Sequence, residues 1–222
     1  MSGACSPERP PLVLASASPR RRSLMERVGL HVSVLPVDVD ESSLPGERAE
    51  KTAVRLAGDK ARTAALTERE RPILAADTIV CIDGRQLGKP SDRAEALAML
   101  RDLSGRWHEV VTGVALLLPA GTLHTGVART RVRFAELTEA EMQRYADGDE
   151  PYDKAGGYAI QGAASWFVES IAGSSSNVVG LPLEQVRRLI REAGLGRLGV
   201  PLAGRQKAGT SGSPAARGDD PI

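Results

Sequence analysis

Aromatic residues are scarce in this chain, at 3% of its 222 residues. Surfaces that bind nucleic acids usually stack bases on aromatic rings and carry a strong positive charge. This chain offers few rings, and its formal net charge is only +1. Both deficits argue against a nucleic acid partner, so an anion would have to be bound by a local group of cations.

The sequence also lacks an apolar run of about 18 residues, which a membrane-spanning helix needs, and it has no basic-then-apolar leader. It has two cysteines, Cys5 near the N-terminus and Cys81 inside an apolar run, a pattern that does not favour a disulfide framework. These absences predict a cytoplasmic protein with no membrane partner.

Familiar catalytic patterns are missing as well. The histidines, His31, His108 and His124, do not have the spacing of a metal site such as His-Glu-x-x-His. The sequence contains no Gly-x-Ser-x-Gly elbow, and neither cysteine has an evident histidine partner. Catalysis is therefore expected to depend on carboxylates, cations and a hard metal ion.

The folded unit is predicted to span residues 11–197, between a disordered lead (1–10) and a flexible tail (198–222) rich in Gly, Ala, Ser and Pro. Strand-like and helix-like segments alternate within it, which predicts an α/β protein with a mixed sheet. Strands are expected over 12–16, 31–40, 72–83, 107–119 and 124–137, with one or two more within 157–171. Helices are expected over 18–29, 46–66, 92–103 and 182–193, with a short one starting at the capping box Thr138–Glu141.

A basic segment follows the first predicted strand, where Ser18 and Pro19 would begin a helix. A helix N-terminus offers free N–H groups, to which Ser16 adds a hydroxyl and Arg20 and Arg21 add forked donors that match phosphate oxygens. The segment is either an anion site or a solvated basic patch beside an ordinary cap, and the residues alone leave both open. Arg22 is predicted to be an ordinary surface charge.

Asp77 stands inside the apolar run LAADTIV. A carboxylate is costly to bury unpaired, so at such a position it usually binds a metal, takes a proton or pairs with a cation. A structural Asp bonded to the backbone or to Thr78 is the alternative.

Three further charged residues are candidates for the same site. Lys60 falls on the apolar face of its predicted helix, where it either reaches into a site or extends to water. Lys89 lies in a turn that is not a Walker P-loop, and Glu41 lies in an acidic loop that either helps hold Mg²⁺ or is only solvated. In the glycine-rich segment 150–162, Gln161 has the donor and acceptor needed to contact a base edge. Such a set suits attack by water on a phosphate more than acyl transfer.

Eight motifs, in this order, resemble those of the Maf family of nucleoside triphosphate pyrophosphatases. They are LASASPRR, DES-x-x-P, DKA around Lys60, AADTIV, LGKP-x-D, ML-x-x-LSG-x-x-H-x-V-x-TG, DKAGGYAIQG and NVVGLPL, and they span about residues 12–185. The resemblance implies an elongated mixed sheet with flanking helices, forming two lobes around a cleft, similar to inosine triphosphate pyrophosphatases. It implies a homodimer that hydrolyses a nucleoside triphosphate to the monophosphate and pyrophosphate with Mg²⁺ or Mn²⁺.

The resemblance also implies roles for individual residues. Asp77 would be the general base and, with Glu41, would hold the metal. The phosphates would be bound by Ser16, Arg20, Arg21, Lys60 and Lys89. The motifs are most similar to the branch acting on dTTP and UTP, whose specificity positions correspond to Arg20, Thr78 and Gln161. A nucleotide-binding regulator of cell division, with catalysis secondary, is the alternative that the family leaves open.

Overall fold

A computed structural model describes residues 11–196; the predicted lead (1–10), tail (198–222) and last residue of the predicted folded unit lie outside this range. The described chain contains a mixed sheet with helices on both faces, as predicted. Its strands are β1 (Leu12–Ala15), β2 (Val32–Val34), β3 (Ile73–Ile82), β4 (Arg85–Leu87), β5 (Trp107–Leu117), β6 (Leu123–Phe134) and β7 (Val168–Ala172). Its α-helices are α1 (Pro19–Arg27), α2 (Ala49–Ala64), α3 (Arg93–Leu103), α4 (Glu139–Ala146), α5 (Ser175–Val179) and α6 (Leu183–Glu192).

The sheet has the strand order β2-β1-β3-β5-β6-β7, and β4 pairs with the far end of β3. β1 runs parallel to β2 and β3, whereas β3, β5, β6 and β7 are joined by antiparallel pairing. β3 lies near the middle of the sheet with helices or loops on both faces. Nearly all of its residues are buried, as its almost continuous apolar sequence predicted.

One edge of β3 is only partly covered by neighbouring strands. β1 pairs with it up to Ala75, and β4 pairs with it from Val80 onward. The backbone of residues 76–79 therefore has no strand partner along that edge. This gap opens a cleft between the two halves of the sheet.

Helices that cover one sheet face divide its apolar core into two parts. Leu74 and Ala76 of β3 belong to a group with α1 and α6, whereas Val80 and Ile82 belong to a group with α3 and α4. Because alternate residues of a strand face the same side, Thr78 lies on this face between the two apolar groups. The two groups are the cores of the two predicted lobes, and the polar residue marks their boundary.

Helix α2 covers the opposite face at very short range. A Cβ built on Gly113 of β5 would lie 2.3 Å from the backbone carbonyl carbon of Ala53, so only glycine fits there. This close packing lets α2 run directly over β3 and β5. Ile73, Ala75 and Ile79 of β3 pack on this face, and Asp77 lies among them.

Local geometry confirms several of the predicted helix starts and ends. The Asp92 carboxylate accepts from Glu95 N–H at 2.8 Å at the start of α3. Thr138 and Glu141 form the predicted capping box at the start of α4. Gly29 and Gly194 follow α1 and α6 with positive φ, as C-terminal glycines do.

Two strand predictions were wrong in extent, and two elements were not predicted. The strand expected over 31–40 is reduced to Val32–Val34, because Pro36 offers no N–H for further pairing. In 157–171, strand geometry begins only at Val168; before it the chain forms 3-10 turns, with Gly156 and Gly157 at positive φ. The short elements β4 and α5 have too few residues to show a periodic pattern.

Candidate active site

The cleft beside residues 76–79 encloses a cavity of about 640 Å³. Its wall is built from the end of β1, the middle of β3, the start of α1, the middle of α2 and the loops that follow β2, β4 and α4. All nine candidate residues from the sequence line it: Ser16, Arg20, Arg21, Glu41, Lys60, Asp77, Thr78, Lys89 and Gln161. The structure therefore brings together residues that are up to 145 positions apart in the chain.

A chain of alternating charges crosses the cleft on the α2 side. The Lys60 ammonium lies 2.6 Å from Asp77 Oδ1 and 2.7 Å from Glu41 Oε1. Lys89 Nζ lies 3.0 Å from Glu41 Oε2. Of the two sequence alternatives for Lys60, the one in which it extends to water is wrong, because its side chain is only 12% exposed and its ammonium contacts both carboxylates.

The two lysines set the charge state of Glu41. Burial opposes its ionisation, but the hydrogen bonds and charges of Lys60 and Lys89 outweigh burial and lower the pKa of Glu41 to about 2. The Asp77 side chain is 10% exposed and is paired on Oδ1. Its Oδ2 accepts no hydrogen bond from any residue in 11–196, and so this oxygen is available to a molecule in the cleft.

Arg21 is directed inward, onto protein acceptors. Its Nε donates to the Gly180 carbonyl at 2.6 Å, and its Nη1 donates to the Ala76 carbonyl at 2.8 Å and to Ser16 Oγ at 3.3 Å. Its Nη2 donates to Thr78 Oγ1 at 2.9 Å. Burial lowers the pKa of Arg21, and the charge of Asp77 partly opposes this shift. Arg21 thus closes the bare edge of β3 and joins three wall segments of the cleft.

Arg20 and Arg22, on either side of Arg21, behave differently. The half-buried Arg20 guanidinium lines the cleft and makes no hydrogen bond or ion pair with any described residue. Arg22 lies on the surface, as predicted, and pairs there with Glu26 at 2.7 Å. Ser18 occupies the N-cap position, but its side chain does not cap the helix; its N–H donates to Ser16 Oγ at 3.2 Å.

Gln161 lies in a loop that is held in place by hydrogen bonds to Glu150. The Glu150 carboxylate accepts from Tyr145 Oη and from Ala163 N–H, both at 2.8 Å. The exposed Gln161 amide makes no hydrogen bond within the described chain, so its donor and acceptor are both free toward the cleft. Lys154, whose Nζ donates to the Glu150 carbonyl at 2.8 Å, also lines the cleft and was not singled out from the sequence.

A buried polar network behind Thr78 was also missed. Thr78 Oγ1 lies 3.0 Å from Thr112 Oγ1, which donates to the Asn177 carbonyl at 3.2 Å. The Asn177 side chain donates to the Val110 carbonyl at 2.9 Å and to Thr130 Oγ1 at 3.0 Å. Polar residues at fully buried positions of an apolar strand are the only sequence signal for it, and Thr112 in VVTGVALLL is such a residue.

His108 does not belong to the charged part of the site. It is buried, and burial lowers its pKa to about 4, so the imidazole is neutral at pH 7. Its Nε2 lies 2.7 Å from the hydroxyl of Tyr158, a residue of the cleft wall. Cys81 is a free, buried thiol, and its burial, together with the Glu109 carboxylate, raises its pKa to about 11.

Metal-binding side chains in residues 11–196 do not gather in groups of three or more. The carboxylates of Asp77 and Glu41 form a pair whose oxygens already contact one ammonium ion, that of Lys60.

Among residues 11–196, no helix has both the length and the apolar character that crossing a membrane requires.

Comparison with known proteins gives one family match, to Maf-like proteins, over residues 11–193. A curated relative from Novosphingobium aromaticivorans, named dTTP/UTP pyrophosphatase, is 49% identical over 198 residues, which are 88% of this chain and 98% of the relative. One from Bordetella parapertussis, with the same name, is 51% identical over 88% of this chain and 99% of its own length. Among solved structures, the Staphylococcus aureus Ham1 protein matches with a TM-score of 0.45 and 15% identity over 84% of this chain and 98% of that protein. The family match over residues 11–193 and the identity to these relatives show that the chain belongs to the Maf family.

Proposed function

We propose that this protein hydrolyses nucleoside triphosphates, with dTTP and UTP preferred, to the monophosphate and pyrophosphate. The arrangement of Lys60, Asp77, Glu41 and Lys89 in one cleft is the observation that carries the proposal. It places a carboxylate with one free oxygen beside two cations able to bind phosphates. The names of relatives about half identical to this chain support the same reaction and the same nucleotides.

The triphosphate would bind at the mouth of the cleft, against Arg20, Lys60 and Lys89. Arg20 can contact phosphate directly, since its guanidinium makes no hydrogen bond or ion pair with the described residues. Ser16 and Arg21, which the resemblance assigns to phosphate binding, are joined by a hydrogen bond at 3.3 Å. Because the Arg21 donors contact protein oxygens, its proposed contribution is to hold Ser16 and the edge of β3 in position.

Asp77 would act as the general base. Its Oδ1 is held by Lys60, which keeps the carboxylate oriented, while Oδ2 is free to accept a proton from a water molecule. Attack of that water on the α-phosphorus breaks the bond to the bridging oxygen, and pyrophosphate leaves with the electron pair. Lys60 and Lys89 would offset the charge that develops on the leaving group.

A divalent cation, Mg²⁺ or Mn²⁺, is the proposed cofactor, and Asp77 and Glu41 are the residues that would hold it. Mg²⁺ is commonly bound by one or two carboxylates together with substrate phosphates, a pattern that two carboxylates without a larger acidic group fit. When bound, it would polarise the phosphates. Since Lys60 contacts both carboxylates here, we propose that it turns toward the phosphates when a nucleotide binds, which would leave the oxygens of Asp77 and Glu41 open to hold the cation.

The base would be recognised by Gln161, Thr78 and Arg20. Gln161 offers a free donor and a free acceptor, which together match the alternating groups on the edge of uracil or thymine. The proposed setting is a cytoplasmic homodimer that acts on the nucleotide pool, with neither nucleic acid nor membrane as a partner.

A pyrophosphate-release assay with a panel of nucleoside triphosphates, with and without Mg²⁺ or Mn²⁺, tests this proposal. We expect release from dTTP and UTP at rates well above those for purine nucleotides, and only with the cation. Release of orthophosphate instead of pyrophosphate, or no turnover of any nucleotide, would contradict the proposed reaction.

A further inference from the structure

Thr112 is a buried residue of β5 that does not line the cleft, yet it contacts a residue that does. We propose that Thr112 is a positioning residue that fixes the direction of the Thr78 hydroxyl proton. Thr78 would then offer the cleft only a hydrogen-bond acceptor, which selects a base with a ring N–H, as in uracil and thymine. This inference rests on the proposed function.

The hydroxyl groups have few possible partners. Thr78 Oγ1 accepts from Arg21 Nη2 at 2.9 Å, and its own proton can go to Thr112 Oγ1 at 3.0 Å or to the Gly180 carbonyl at 3.5 Å. The Thr112 proton can go to Thr78 Oγ1 or to the Asn177 carbonyl at 3.2 Å. A hydroxyl has one proton and two acceptor lone pairs, so only two arrangements place a proton between the two threonine oxygens.

The distances decide between the two arrangements. If Thr112 donates to Thr78, the Thr78 proton is left with the open cleft or with the Gly180 carbonyl at 3.5 Å, a marginal distance. If Thr112 donates to the Asn177 carbonyl, Thr78 donates to Thr112 at 3.0 Å, and both protons are well bonded. The second arrangement is therefore favoured.

In this arrangement the Thr78 oxygen retains one unused lone pair. Thr78 is half-buried and lines the cleft, so the lone pair is available to a bound base. The ring nitrogen N3 of uracil and thymine carries a proton, and that of cytosine does not. Cytosine would place a lone pair against the lone pair of Thr78, and a site that leaves polar groups unpaired discriminates strongly against the wrong ligand.

The test compares Thr112→Val with Thr112→Ser. Valine has nearly the shape of threonine but cannot accept the Thr78 proton, which is then free to turn toward a base. We expect the ratio of kcat/KM for UTP to that for CTP to fall by about three- to tenfold in Thr112→Val, the effect of about one hydrogen bond. The change should come from a lower KM for CTP, and Thr112→Ser should retain the wild-type ratio.

Thr130→Val is a matched control for a merely structural effect. Thr130 is equally buried and bonds to Asn177 Nδ2 at 3.0 Å, but it does not contact Thr78. Its replacement should lower the thermal stability without changing the UTP to CTP ratio. If Thr112→Val fails to fold, Thr112→Ala gives the same comparison in a smaller side chain.

An unchanged ratio in folded Thr112→Val or Thr112→Ala, or an equal change in Thr130→Val, would overturn this inference alone. Wild-type protein that does not hydrolyse UTP would instead overturn the proposed function, and this inference with it. The wild-type rate and the variant ratio thus separate the two failures.

Discussion

Replacing Lys60 with methionine removes the ammonium that contacts both Asp77 and Glu41. Without Lys60, the oxygens of Asp77 and Glu41 that contacted its ammonium are both available to a divalent metal ion. We therefore expect the nucleotide-free Lys60→Met protein to bind Mn²⁺ more tightly than the wild type does.

The expected gain in Mn²⁺ affinity comes from removing the repulsion between the Lys60 ammonium and the bound cation. As a guide to its size, two unit charges about 4 Å apart interact by about 4 kcal/mol at an effective dielectric constant of about 20. The Glu41 side chain is 43% exposed, so solvent screening reduces this figure substantially. Retaining about a third of it, roughly 1.4 kcal/mol, corresponds to about a tenfold lower Kd for Mn²⁺.

Electron paramagnetic resonance of free Mn²⁺ measures this binding without any turnover. Lys51→Met is the control, because Lys51 is an exposed residue of the same helix and does not line the cleft. It should bind Mn²⁺ as the wild type does. Equal Mn²⁺ affinity in Lys60→Met and the wild type would refute the idea that this lysine occupies the place of the metal.

Three other substitutions test separate parts of the structure. Gly113→Ala forces a Cβ to within 2.3 Å of the Ala53 backbone, so urea unfolding should show a loss of about 2 kcal/mol or more, whereas Gly196→Ala, with open space around it, should not. Glu41 has a pKa lowered to about 2, so the stability that its ion pairs add is present above its ordinary pKa of 4.5 and is lost as pH falls toward 2. The difference in unfolding free energy between the wild type and Glu41→Gln should therefore shrink over that range, and a constant difference would contradict the pairing. Gln161→Ala should flatten the preference for dTTP and UTP in initial-rate assays, and unchanged selectivity would mean that the base is recognised elsewhere.

The sequence predicted elements that depend on local signals. Asp92 and the Thr138–Glu141 pair were identified as helix starts because capping requires only residues three positions apart. β3 was identified by its unbroken apolar run, and Asp77 stood out because a carboxylate inside such a run is costly. Together with the family motifs, these signals were enough to name nine residues that line one cleft.

What the sequence did not show depends on contacts across the chain. Whether Lys60 would turn inward or toward water was undecided until Glu41 and Asp77 were placed beside it. Similarly, a row of three arginines does not indicate that the middle one, Arg21, bonds to carbonyls of residues 76 and 180. The role of Thr112 depends on a hydrogen bond to α5, a helix too short to predict.

The central claim is that Asp77 supplies the base in a hydrolysis that releases pyrophosphate. Asp77→Asn keeps the shape of the side chain and its contact with Lys60 but removes the charge that accepts a proton. A positioned base contributes about 10²–10⁴-fold, so kcat for UTP should fall by at least about a hundredfold in a variant whose circular dichroism matches the wild type. Turnover of UTP by folded Asp77→Asn within a few-fold of the wild-type rate would contradict the claim.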